Sequence, residues 1–253
     1  IAAIKSGTTD SGSRAASSHT GAIASSYSAV EALFKKAGII RCYSREELVN
    51  IAAVLTYPQM QGNRMAIVSH AVGPAVILSD ALSKGNIDVP EIPSDLGKEL
   101  KAQLLPGSAV SNPIDILGKG KGEHLGKALD FCIENVKDID AISVIYGDSG
   151  VSDVSNTYNV LYEKIKESPI PIYPVMPSVT LAWDEMKEFT KKGYPNFTDE
   201  VVMANAVSKV LHRPMPSDDK IEDLNIDAQR IRKVIDSAKD GYTELSIPEC
   251  LLT

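Results

Sequence analysis

Aromatic side chains are scarce in this 253-residue chain, at 6% with a single Trp, and there is no surplus of positive charge: the formal net charge is -7. Lys and Arg are scattered singly. Such a composition offers neither a basic stripe nor a stacking platform, which excludes a nucleic-acid partner. No apolar run approaches the roughly 20 residues a bilayer-spanning helix requires, and the first residues lack the charged-then-apolar order of a signal peptide. The chain therefore reads as cytoplasmic, with no membrane partner. Cysteine is also sparse. Cys42, Cys132 and Cys250 are widely spaced and form no C-x-x-C pair, which indicates neither a disulfide framework nor a zinc site. We read them as buried or incidental thiols.

What the chain does have is an ordinary globular balance, 43% hydrophobic and 23% charged. Short apolar runs alternate with helical periodicity. Strands are predicted over 1–5, 38–42, 65–69, 141–146 and 170–175, with helices over 22–37, 46–55, 74–84, 122–135, 154–167, 181–192 and 199–211. Ser44 and Glu47 have capping-box spacing at the start of the second helix. This pattern predicts an α/β fold, parallel strands connected by crossover helices on both faces of the sheet.

Three segments are expected. The Pro, Gly and polar stretch TYPQMQGNR (56–64) separates residues 1–58, the back part of one doubly wound domain, from 59–213, a second and complete one with about five strand-helix units. The Pro- and acid-rich stretch after 212 opens a third segment, 214–253, which reads as a linker leading into a module cut short. The chain starts on IAAIKSG without an initiator Met, so we expect a piece of something longer.

Residues 6–21, dominated by Ser, Thr, Gly and Ala, show no periodicity and read as a long loop carrying His19. Small residues allow backbone amides to approach a ligand, and a histidine there can be oriented through one ring nitrogen and react through the other. Taken alone, the residues read first as a solvated histidine bonded to its neighbours. His70, at the end of an apolar strand, reads first as a turn former, and Asn112-Pro113-Ile114-Asp115 as either an Asx-type turn or part of an interface or phosphate region. Asp148 reads as a turn residue, His124 and His212 as surface or cap residues, and Lys5 as a solvated strand end. No metal site is indicated.

Lys5-Ser6-Gly7, Arg14-Ala15-Ala16, Ser18-His19-Thr20-Gly21-Ala22 and Ala37-Gly38-Ile39-Ile40-Arg41 fall in one order and spacing. Together they resemble the NDP-forming acyl-CoA synthetases, the ADP-forming acetyl-CoA synthetase group related to succinyl-CoA synthetase. MAIVSHAVGPAVILSDAL and LLPGSAVSNPIDILG are similar to that family's next flavodoxin-like domain, and the tail to the entry of its ATP-grasp module. There are two departures. Ser13 stands where the family often has Ala, and His70-Ala71-Val72-Gly73-Pro74-Ala75 stands where it commonly has Asn-Ala-Gly-Gly-Pro-Gly.

The resemblance implies that His19 carries a phosphoryl group between an acyl phosphate and ADP, and that a glutamate upstream of these residues partners it. It implies CoA, ATP or ADP, phosphate and Mg²⁺ as cofactors of the full enzyme, a small carboxylic acid as substrate, CoA-binding and ATP-grasp partners, and an oligomer. Helix N-termini are natural seats for the phosphoryl group. Two are expected, one at Ser18, Thr20, Gly21 and Ala22, and one at Gly73 and Pro74, with Pro74 suiting a first helical position. The fragment alone is expected to be inactive. The competing reading is a non-catalytic, ligand-sensing synthetase-like domain of an acetyltransferase fusion, against which the retention of His19 argues.

Overall fold

A computed structural model describes residues 1–20, 27–148, 154–217 and 227–236, with His19 and Thr20 described by their backbone. Gly21, Ala22, Cys250 and most of the tail lie outside the described residues. Residues 1–216 form one compact unit and 217–253 a second.

The first unit holds two parallel sheets. One pairs β1 (Ala2–Ile4) with β2 (Ile40–Cys42), Ala2 opposite Ile40. Between them run α1 (Asp10–Thr20) and α2 (Tyr27–Lys36), and α3 (Arg45–Val54) then packs on both strands. The predicted cap at Ser44 is present, and the Glu47 side chain reaches back past it to Tyr43. Ser44 accepts the Glu47 amide at 3.0 Å, while the Glu47 carboxylate accepts the Tyr43 amide at 2.6 Å. Behind β2, the buried Arg41 pairs with Glu31 and lies against the faces of Tyr27 and Tyr43, at 4.7 and 5.2 Å.

The second sheet has the order β4-β3-β5-β6, from β3 (Met65–Ser69), β4 (Ile114–Asp115), β5 (Ala141–Ile145) and β6 (Ile172–Val175). Every residue of β3, β5 and β6 is buried, as strands covered on both faces must be, which is why MAIVS and AISVI run apolar without alternation. Crossover helices supply that cover: α4 (Val72–Lys84) and α5 (Gly97–Gln103) between β3 and β4, α6 (Gly122–Asn135) before β5, and α7 (Ser155–Glu167) before β6. After β6 come α8 (Trp183–Lys191) and α9 (Glu200–Leu211), the latter capped by Asp199 accepting the Val202 amide at 2.8 Å. Helix α9 packs on both α3 and α4, and Lys209 on it pairs with Glu47. Tyr57 lies between Tyr173 and Tyr194 and donates its hydroxyl proton to the Pro195 carbonyl. The second unit contains α10 (Ala228–Asp236).

The α/β class and parallel sheets stand as expected. Corrections concern boundaries. Four strands, not about five strand-helix units, occupy the stretch from 64 to 213. Helix α5 and the two-residue β4 carry too few residues for a period to register. The largest correction is residues 6–21: 10–20 form a helix rather than a loop. No helix among the described residues is long and apolar enough to cross a membrane.

Candidate functional site

The stretch that carries His19 becomes helical through local chemistry rather than through a hydrophobic stripe. Gly7 turns the chain at φ +70°, and Thr9 then acts as the cap, its hydroxyl accepting the Gly12 amide at 3.2 Å and its carbonyl the Ser13 amide at 2.8 Å. A Cβ on Gly12 would sit 3.3 Å from the Gly7 Cα, so two small residues let the turn fold back onto the helix. Because α1 (DSGSRAASSHT) consists of small and polar residues, it has no large apolar face for a periodicity reading to find.

This moves one expected seat. His19 and Thr20 are the last two residues of α1, and Ser18 is exposed just before them. Thr20 therefore closes a helix instead of opening one, and carbonyl groups, the negative end of the dipole, point along the chain there. Gly21 and Ala22 lie outside the described residues, and the next helix begins at Tyr27.

The other seat is at the carboxyl end of β3. Helix α4 begins at Val72, so Gly73 and Pro74 are its second and third residues, and Pro74 is not at the first position. Ala71, at the cap, has no side chain to satisfy the first amides. Gly73 has open space: a Cβ there would meet nothing within 4 Å. The Ser69 hydroxyl instead holds the turn itself, donating to the Ala71 carbonyl at 2.7 Å and accepting the Ala71 amide at 3.0 Å.

This end of the sheet is also its switch point. The chain leaves β3 toward β4 on one side and leaves β5 toward β6 on the other, which opens a crevice above the carboxyl ends of β3 and β5, where open α/β sheets bind ligands. His70 stands in that position. Its Nδ1 lies 3.1 Å from the Ile145 carbonyl and its ring 5.0 Å from that of Tyr146, whose hydroxyl donates to the Gly120 carbonyl at 2.8 Å. Asp148 follows, its amide donating to the Ser178 hydroxyl at 2.7 Å. Burial together with the Asp148 charge pushes the neighbouring Tyr158 hydroxyl well above its usual range. The turn-former reading of His70 missed this geometry, for which a histidine ending an apolar strand was the only signal.

The Asn112 side chain pairs with β3. Its Oδ1 accepts the Ile67 amide at 2.9 Å and its Nδ2 donates to the Met65 carbonyl at 3.0 Å, so the side-chain amide continues the pairing of β3 beyond β4. Asp115 makes the Asx turn, accepting the Leu117 amide at 2.8 Å. His124 is buried, not on the surface, and its Nδ1 accepts the Lys121 amide at 3.1 Å. His212 caps α9 with Nε2 3.1 Å from the Gly85 carbonyl. Lys5 donates to the Ser6 carbonyl at 2.6 Å.

Comparison with known proteins matches residues 1–55 to the succinyl-CoA ligase like flavodoxin domain and 65–153 to the ligase-CoA domain. The alpha subunit of acetate–CoA ligase [ADP-forming] II from Pyrococcus furiosus is 32% identical over 163 residues, 64% of this chain and 36% of that protein. Acetate–CoA ligase [ADP-forming] I from Archaeoglobus fulgidus is 30% identical over 234 residues, 91% of this chain and 33% of that protein. Among solved structures, the dinucleotide-forming acetyl-coenzyme A synthetase 1 of Ca. Korarchaeum cryptofilum, in complex with phosphate and ADP, superimposes with a TM-score of 0.72 at 27% identity, over 83% of this chain and 46% of that one. The chain thus spans about a third of the length of these curated relatives. Two consecutive regions matched in order, on a shared fold, place the chain in the family of NDP-forming acyl-CoA synthetases.

Proposed function

We infer that this chain is the phosphoryl-carrying part of an acyl-CoA synthetase that interconverts acyl-CoA, ADP and phosphate with a carboxylic acid, CoA and ATP. The observation that carries the reading is the sequence motif Ser18-His19-Thr20-Gly21-Ala22, whose first three residues end α1, in a chain whose residues 1–55 and 65–153 match this family's domains. In this role a neutral imidazole nitrogen of His19 attacks the phosphorus of an acyl phosphate, the bond from phosphorus to the acyl oxygen breaks and the carboxylate leaves, and the terminal oxygen of ADP then takes the group as the phosphorus–nitrogen bond breaks and frees the imidazole.

Phosphoryl transfer asks mainly for positioning and for dipoles aimed at the equatorial oxygens. The free first amides of α4, at Val72 and Gly73, suit that task, and the empty space above Gly73 leaves room for a phosphate. Ser18, Thr20, Gly21 and Ala22 remain proposed contacts from the His19 side. CoA and the nucleotide, with its Mg²⁺, are assigned to CoA-binding and ATP-grasp partners, Mg²⁺ supplying charge neutralisation on the nucleotide phosphates; no residue of this chain is assigned to it. We divide the chain at 58 and 213, in line with its two separate sheets and with matched regions ending at 55 and beginning at 65.

The test is phosphorylation. A protein containing this chain with its synthetase partners, incubated with γ-labelled ATP and Mg²⁺, is expected to acquire acid-labile, alkali-stable phosphate that His19→Asn abolishes. Stable labelling elsewhere with none on His19 overturns the reading.

A further inference from the structure

Between α2, β2 and the C-terminal half of α9 lies a cavity of about 450 Å³, within the first compact unit and built from none of the residues assigned to phosphoryl transfer. Its lining is cationic. Lys35, Arg41, Lys209 and Arg213 face it with Glu31 as the one carboxylate, and Ile39 and Pro214 add apolar wall.

Three of these cations have a local reason to be there. Lys35 and Lys209 sit in the last turns of α2 and α9, where the helix dipole favours positive charge, and Arg213 donates Nη1 to the Val210 carbonyl at 2.9 Å. Arg41 does not share that reason. It lies on β2, is only 7% exposed, and gives Nη1 to Glu31, while its Nε is closed to water and has no hydrogen-bond partner among the described residues. Buried donors are nearly always paired, and an unpaired one on a cation is costly. Tyr27 and Tyr43 cover the two faces of the guanidinium, at 4.7 and 5.2 Å, which leaves its edges for an acceptor. The edge carrying Nε is a two-donor fork matched to the oxygens of a carboxylate or a phosphate.

The charges are also out of balance. Glu31 offsets Arg41, and Glu47, outside the lining, offsets Lys209, whose ammonium stands 4.7 Å from the Tyr43 ring. Lys35 and Arg213 form no ion pair among the described residues. Two positive charges therefore stand uncompensated around the cavity in a chain of net charge -7. Its volume and apolar wall suit an organic molecule better than a bare inorganic ion.

We propose that this cavity binds a small organic dianion, whose carboxylate or phosphate oxygens meet the Nε edge of Arg41 while Lys35 and Arg213 balance the remaining charge. Binding takes a shift of the Tyr43 ring, which lies against the guanidinium and is 70% exposed. Because the walls come from α2 and β2 on one side and from α9 on the other, the ligand ties the two together and acts as an effector rather than a reactant.

The test is isothermal titration calorimetry of a protein containing this chain, with citrate and, separately, 3-phosphoglycerate as probes. At least one is expected to bind at millimolar concentration or below. The Lys35→Gln/Arg213→Gln variant is expected to raise that Kd about tenfold. Lys98→Gln/Lys101→Gln, which removes the same charge from exposed positions on α5, is expected to leave it unchanged. Arg41→Lys keeps the charge but not the fork and is expected to weaken binding by a similar factor; if it does not fold, the Lys35 and Arg213 variant decides. Binding of citrate alone supports a carboxylate ligand, of 3-phosphoglycerate alone a phosphate ester, and of both a site that takes either. His19→Asn is expected to bind like the parent, so loss of the phosphohistidine reading leaves this one standing. No heat from either probe, or equal weakening by the two double variants, overturns the proposal.

Discussion

Asn112 Oδ1 accepts the buried amide of Ile67 at 2.9 Å, and the same side chain returns a proton to the Met65 carbonyl at 3.0 Å, doing for β3 what a neighbouring peptide would do. Removing it leaves a donor and an acceptor unpaired inside the sheet. Asn112→Ala is expected to destabilise the chain by about 2–4 kcal/mol in urea unfolding, from two buried orphaned groups. Asn112→Asp is expected to cost a similar amount, because a carboxylate cannot donate to Met65; a change below about 0.5 kcal/mol in either variant would refute the pairing.

Gly73 and Gly97 make a contrasting pair. A Cβ on Gly73 meets nothing, whereas on Gly97 it would fall 2.8 Å from the Val110 Cγ2. Gly73→Ala is expected to hold or raise stability by about 0.5 kcal/mol, while lowering phosphate occupancy of the α4 seat. Gly97→Ala is expected to destabilise by about 1–3 kcal/mol through overpacking. Thermal melts and phosphorylation assays on the same two variants separate space left for a ligand from space filled by the fold.

Three tyrosines report on alkaline stability. Burial pushes the hydroxyls of Tyr57, Tyr158 and Tyr173 well above the usual tyrosine range. Each raised group favours the folded state while the hydroxyl stays protonated, so its contribution is complete below the ordinary tyrosine value of 10.0 and is lost as pH rises above it toward the folded value. The urea midpoint is expected to fall above about pH 10, and Tyr57→Phe to reduce that fall while costing about 1 kcal/mol at neutral pH for the orphaned Pro195 carbonyl.

Glu47 works at the acid end. Burial alone would raise its pKa, but the Lys209 ammonium and the Tyr43 and Ser44 amides outweigh it and hold the carboxyl below its ordinary 4.5. Because the folded pKa is depressed, the contribution is present above 4.5 and is lost as pH falls through the lower folded value. Glu47→Gln is expected to flatten stability against pH below about 4.5, with a loss of about 0.5–1 kcal/mol at pH 7 for a partly exposed pair.

Cys132 tests the core directly. Complete burial pushes its thiol up to about 12, and Cys42 is raised for the same reason together with the Glu47 charge. In a Cys250→Ser background, native protein at pH 8 is expected to resist alkylation, with both thiols labelled only at the rate of unfolding. Rapid labelling of Cys132 in the folded state would contradict the buried assignment.

Some parts of this protein were readable from local order. Long apolar strands such as Met65–Ser69 and Ala141–Ile145 are buried on both faces and need no partner to declare themselves. The Ser44 cap followed the same logic, since its bond closes within three residues. Helix α1 was not readable that way: it is polar throughout, and its start depends on a Thr9 hydroxyl and on Gly7 turning with a positive φ. The two-residue β4 was missed because a side chain, Asn112, does part of its pairing.

The amino-acid order by itself determined the α/β class, the parallel strands and the family, because periodicity and the His19 motif are local properties of the chain. Which imidazole nitrogen of His70 meets a backbone carbonyl was decided only by tertiary structure. The carbonyl that fixes it belongs to Ile145, 75 residues away, and only the parallel pairing of β3 with β5 brings the two together.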